Sequence, residues 1–168
     1  MRVFGPAFLA LALVAPPPTF AQPAAEPPQG PWVMMLSPPH DPGSRPVVAW
    51  ISETDVPPPP EVEEGYVNVH WELVLPQPGA DGAWTLSRMS YDCGASTFRV
   101  LEARRYEGEV LVETTGPEGP FDFMPGTLPG FTMNAVCRHG LADEAPRAAD
   151  RAAAAAAQAA FLERWGVR

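Results

Sequence analysis

Three histidines, two cysteines and a few grouped carboxylates are the side chains in this sequence with chemistry to offer. His40, His70 and His139 are widely separated, and none sits in an HExxH motif or another i, i+4 pair, so the helix of a zinc metalloprotease is not written here. His70 and Glu72 are two residues apart in an alternating segment, which puts them on the polar face of one strand. That pair reads first as solvated surface and only second as an acid–base or metal-binding dyad. Glu61, Glu63 and Glu64, with Asp55, form an acidic group beside a proline run. Lacking EF-hand spacing, they read as a solvated loop. No GxSxG elbow, GxGxxG turn or Walker loop occurs. The residues therefore point away from an enzyme and name no catalytic residue, metal ligand or cofactor. The competing expectation is a hydrolase with a dispersed site, which would show itself as a deep cleft with convergent His, Asp or Glu side chains.

The start of the chain sets the compartment. Arg2 precedes an apolar run, Val3 to Ala15, of about 13 residues, the length of a secretory h-region and too short to span a bilayer. Pro16 to Pro18 end it, and Thr19-Phe20-Ala21 predicts cleavage after Ala21. Residues 1–21 thus read as a signal peptide, with an uncleaved anchor as the alternative. The Ala-rich residues 148–160 are interrupted by Asp150 and Arg151, so no membrane insertion is expected after cleavage. In an exported chain, Cys93 and Cys137 read as a disulfide. A metal pair or a catalytic thiol are the alternatives, and the cysteines lack the close spacing of a zinc site. Closing so long a loop contributes about 4 kcal/mol on the chain-entropy account. The net charge of −9, with Arg as the only strong base, argues against nucleic acid and anionic lipid as partners. The expected location is the periplasm or the exterior.

The elements that would position these groups are mostly strands. Residues 22–31 form an extended Pro-rich leader, and the folded part is expected to begin at Trp32. Trp32 to Leu36, Val47 to Ser52, Tyr66 to Leu75 and Trp84 to Tyr91 carry the strand period, and Pro57 to Pro60 read as a stiff loop. In the third strand Val67, Val69, Trp71, Leu73 and Leu75 alternate with Asn68, His70 and Glu72, which predicts one buried and one solvated face. Thr97 to Tyr106 and Glu109 to Thr114 read as a hairpin turning near Gly108. Trp32, Trp50, Trp71 and Trp84 read as core, with a Trp-lined binding surface as the alternative.

Two helices follow. Thr127 is the expected N-cap of a short one, with Pro129 in its first turn and Cys137 near its end, so that the disulfide ties helix to sheet. Asp143 to Trp165 is expected as one continuous Ala-rich helix, capped by Asp143 and ended by Gly166. Its body has little to bury, so Phe161, Leu162 and Trp165 are the expected docking spot, on the chain's own sheet or on a partner. The expected class is α+β: a small antiparallel sheet with a short helix packed on it, an Ala-rich C-terminal helix and one disulfide. The expected divisions are 1–21, 22–31, a domain at 32–140 and the tail at 141–168.

Ser90-Tyr91-Asp92-Cys93, then Phe98-Arg99-Val100-Leu101, Tyr106 before Gly108, and Pro125-Gly126-Thr127 before Cys137 resemble the bacterial surface-adhesin protein E family. Trp32 and Val48-Ala49-Trp50 match its two early Trp-bearing strands, and the resemblance covers about residues 30–140. Thr127 stands where that family usually has Ser, and the Ala-rich tail is an addition. The resemblance implies a small disulfide-bridged sheet-and-helix domain, no enzyme activity and no cofactor, and adhesion to host matrix proteins as the namesake activity. Two expectations of function result: an exported non-catalytic protein acting through protein–protein or envelope contacts on an unknown protein partner, and a surface adhesin.

Overall fold

The structure is a computed structural model that describes residues 28, 30–37, 46–55, 67–77 and 80–167. The expected signal peptide, His40, the run Pro57 to Pro60 and the group Glu61, Glu63 and Glu64 lie outside the described residues.

Eight strands are described: β1 (Trp32–Ser37), β2 (Val47–Ser52), β3 (Val67–Val74), β4 (Ala83–Asp92), β5 (Thr97–Glu107), β6 (Val110–Thr115), β7 (Glu118–Asp122) and β8 (Arg147–Ala148). They form one sheet in the order β6-β5-β4-β3-β2-β1-β8, with β7 also paired to β5, and every pairing is antiparallel. Helix α1 (Leu128–Asn134) continues into a wider turn at Ala135–His139, and α2 (Arg151–Arg164) closes the described chain. This is the α+β, disulfide-bridged class that the sequence predicts.

The sheet is covered on both faces, because the register sorts its side chains into two sets. Ile51 lies opposite Glu72 and Tyr91 opposite Asn68, so these residues share the α1 face. Trp50 lies opposite Leu73, and Leu73 opposite Leu86, on the α2 face. One buried cluster gathers Val33, Ile51, Met89, Tyr91 and Phe98 with Met133 and Val136 around the bridge. The other gathers Trp32, Trp50, Trp71, Leu73 and Leu86 with Ala154 and Leu162. The single buried face expected of β3 is thus corrected: Asn68, His70 and Glu72 are buried, and Val67 at the strand's start is exposed. The alternation is real, but α1 covers the side that reads as solvent-facing.

Thr127 caps α1 as expected, its Oγ1 accepting from the Gly130 N–H at 3.3 Å. Gly130, a poor helix former, is needed because a Cβ there would overlap the Met124 carbonyl oxygen. Cys93 and Cys137 are bonded, with Cα atoms 5.5 Å apart, and fix the end of the α1 segment to the end of β4.

The expected helix at Asp143 to Trp165 is corrected to Arg151–Arg164, and its cap is Asp150, whose Oδ1 accepts from the Ala153 N–H at 2.8 Å. Arg147 and Ala148 pair instead with Val33 and Trp32 as β8, and the Pro146 carbonyl accepts from the Met34 N–H. Strand pairing here overrides helix propensity. The Ala-rich helix is held by more than its end. Ala154 and Leu162 are fully buried, and the Gln158 Oε1 accepts from the Trp50 Nε1 at 3.1 Å, beneath the helix. The Gln158 amide also donates to the Leu75 and Pro76 carbonyls at the end of β3. Gln158→Ala strands a buried indole N–H and two carbonyls, and should cost about 1–3 kcal/mol. Urea unfolding of the oxidised protein measures this. An unchanged midpoint would show that α2 does not need the glutamine.

Candidate functional site

The α1 face holds the group that looks most like chemistry. Asn68, His70 and Glu72 project from successive outward positions of β3 under α1. His70 Nδ1 lies 3.4 Å from the Asn68 Oδ1, and His70 Nε2 lies 3.4 Å from the Glu72 Oε1. The Tyr91 hydroxyl donates to that same Glu72 oxygen at 2.9 Å. To reach it, the Tyr91 ring lies flat along the His70 ring, with centroids 5.1 Å apart and planes 7° from parallel. Thr132 of α1 is fully buried, its hydroxyl donating to the Leu128 carbonyl at 3.2 Å. Burial, then the Glu72 charge and hydrogen bond, push the Tyr91 phenol well above the ordinary tyrosine range, so the phenol stays a donor.

A histidine, a carboxylate and a tyrosine in mutual contact are the parts of a proton relay. Here they are sealed. His70 is 1% exposed, Tyr91 0% and Glu72 5%, and no cleft named below is lined by any of the three. Their polar atoms face each other, as buried groups must. The row is therefore a satisfied polar seam between sheet and helix. Among the described residues, no group of three or more His, Cys, Asp or Glu converges as a metal site, and no helix is long and apolar enough to cross a membrane.

The open features lie on the α2 face and at the β6 edge of the sheet. A cleft of about 120 Å³ at the start of α2 is lined by Pro28, Trp32, Leu73, Trp84, Leu86, Tyr106 and Arg151. Trp84 and Tyr106 stack with centroids 4.0 Å apart, and the Arg151 guanidinium sits 4.6 Å above the Trp84 ring. Trp84, expected in the core, is thus half-buried, whereas Trp32, Trp50 and Trp71 are core residues. Arg104 covers Trp71 from the same face at 5.3 Å, and the hydrogen bond it donates to the Glu102 carboxylate raises its already high pKa. A broader opening of about 550 Å³ lies between Met34, Leu36, Phe161 and Trp165 at the other end of α2.

The three tail residues therefore part company. Leu162 is fully buried, Phe161 is half-buried, and Trp165, tilted against Phe161 at 5.9 Å, is 52% exposed. The geometry of a helix explains this: Leu162 faces the sheet, while Phe161 and Trp165, four residues apart, share a flank. The Cys93–Cys137 pair is closed into the α1 face. At the edge, β6 is exposed along its whole length, with Val110 65%, Leu111 49% and Val112 44% exposed. Sequence pattern registered these residues as strongly β-prone but gave no sign that they face water.

No family model, curated protein or solved structure matches this chain.

The seam makes a checkable statement about pH. A Tyr91 pKa raised in the folded state means that the unfolded chain releases its phenol proton first. The stabilisation is then full below about pH 10 and is lost as pH rises toward the folded value. Ultraviolet titration should show Tyr91 un-ionised at pH values where a free tyrosine is already phenolate. Tyr91→Phe, which leaves a buried carboxylate oxygen short of a donor, should cost about 1–3 kcal/mol at neutral pH. Ordinary titration of all tyrosines in the folded protein would contradict the sealed seam.

Proposed function

We propose that this chain is an exported, non-catalytic protein that works by protein–protein contact, with the β5–β6 hairpin as its contact element. The observation that carries this reading is the exposure of Val110, Leu111 and Val112 along an edge strand. An edge presents unpaired backbone groups as a template for another strand, and exposed apolar side chains beside it add area to such a contact. The same edge is guarded against indiscriminate pairing. The register shifts at Val112, between Leu111 and Glu113, and Pro120 lies within β7. Glu107, Glu109 and Glu113 flank the apolar residues along the hairpin. Two copies paired antiparallel about Leu111 would set Glu109 against Glu113, like charge on like. The fitting partner is a different protein, with a basic rim around an apolar strand.

The predicted signal segment and the bridge support placing that contact in the periplasm or outside the cell. The resemblance to the surface-adhesin protein E family supports the same binding role and makes a host matrix protein one candidate partner. A photo-crosslinking residue at Leu111 in the exported protein should give a discrete adduct in intact cells, and Val110→Glu with Val112→Glu should abolish it. Protein that is exported and folded yet gives no adduct at any of residues 110–112 would overturn the reading.

A further inference from the structure

The broad opening at the C-terminal end of α2 is built from two walls. Met34 and Leu36, two residues apart on β1, face α2 and form its floor. Phe161, Arg164 and Trp165, at positions i, i+3 and i+4, line it from one flank of the helix, and Pro146 completes the lining. The helix end is fixed rather than frayed. Gly166 turns at φ +74°, its N–H donates to the Glu163 carbonyl at 2.9 Å, and the Val167 N–H donates to the Leu162 carbonyl at 3.0 Å. Trp165 is thereby held beside Phe161, the ring centroids 5.9 Å apart, while 52% of it stays exposed.

These walls are apolar and carry one charge. Arg104, Arg105, Arg147 and Arg151 each reach a carboxylate. Arg164, which is exposed, has no carboxylate partner among the described residues. Its Nε donates to the Ala160 carbonyl at 3.3 Å, and its guanidinium lies 6.0 Å from the centre of the Phe161 ring. Those two contacts hold the charge against the cleft wall, and its terminal nitrogens have no acceptor among the described residues. The volume of about 550 Å³ falls in the range of small-ligand sites, roughly 300–1,000 Å³. The net charge of −9 repels anions at long range, so an anion bound here has to be held by this guanidinium in contact and by apolar burial.

We propose that this cleft binds a single-chain amphipathic carboxylate. The hydrocarbon chain lies between the Met34 and Leu36 floor and the Phe161 and Trp165 flank, and the carboxylate rests on the Arg164 guanidinium. A planar carboxylate matches the paired terminal N–H groups of an arginine, and the hydrocarbon takes the exposed indole out of water. A second copy of this acidic chain is the poorer occupant, because it brings like charge against like. This inference is independent of the β6 edge and stands without the contact function proposed for it.

The test titrates the oxidised protein with sodium decanoate below its micelle concentration and follows the indole N–H signals by NMR. The Trp165 signal should shift saturably. The Trp84 signal, from the other cleft, should stay in place, as should that of Trp50, buried under α2, which checks the fold. Lengthening octanoate to decanoate should tighten binding by up to about fourfold per methylene. Decanol, the same chain without the charge, should bind about tenfold more weakly, and Arg164→Gln should remove the preference for decanoate over decanol. The proposal is overturned if the Trp165 signal ignores decanoate, moves without saturating, or responds alike to decanoate and decanol. It is also overturned if Arg164→Gln leaves the preference intact. A Trp165 signal that moves with protein concentration alone would make the cleft a contact between copies, and would overturn it too.

Discussion

Helix α1 has to lie on a strip of sheet that is not apolar, and most of the α1 side of the molecule is arranged to permit it. Asn68, His70 and Glu72 would each cost several kcal/mol if buried without partners. Tyr91 resolves this by lying along His70 and reaching Glu72. A helix of seven residues has little intrinsic stability to offer in return. The Cys93–Cys137 bridge supplies the constraint, holding the helix end against β4 and closing a loop that includes β5, β6 and β7. The seam and the bridge are two halves of one solution.

The α2 face is solved with different means. An Ala-rich helix cannot bury large side chains, but it can approach a sheet closely, and Trp50 fills the space beneath it. Gln158 then satisfies the Trp50 indole and the carbonyls at the end of β3 together. Burial of the Leu162 side chain adds about 1.5–3 kcal/mol. Because Gly30 lies against the Ala149 carbonyl and β8 pairs with β1, the chain just before β1 and the turn after β8 meet. With both faces covered, the open surfaces among the described residues include the β6 edge and the flanks of α2.

Much of this was legible in the sequence. The bounds of β2 match the expected Val47 to Ser52, and the Thr127 cap and the cysteine pairing follow from short-range chemistry that a sequence displays directly. What failed were the questions that depend on distant residues. Period-two alternation in β3 shows which residues share a face, but not that α1, more than fifty positions later, covers the polar one. Asp143 reads as the cap of the C-terminal helix, yet Asp150 is the cap. Only the pairing of Arg147 and Ala148 with β1 decides between them. No strand is expected between Thr114 and Thr127, yet β7 forms there, since proline is tolerated on an edge strand. Gln158 was hidden as the lone amide in an alanine run, although that isolation was itself the available signal. The candidate surfaces were less legible than the fold, since exposure of Val110 to Val112 is a property of the finished sheet edge.

The Cys93–Cys137 bridge holds α1 down over the polar seam. This is tested most directly by the ultraviolet titration of Tyr91 in the native protein before and after reduction of Cys93–Cys137, with circular dichroism confirming that the sheet persists. The account predicts that reduction brings Tyr91 ionisation down into the ordinary tyrosine range, as α1 lifts and water reaches Glu72 and His70. A reduced protein whose sheet is intact and whose Tyr91 still resists ionisation would show that the seam is sealed by packing alone, and would contradict it.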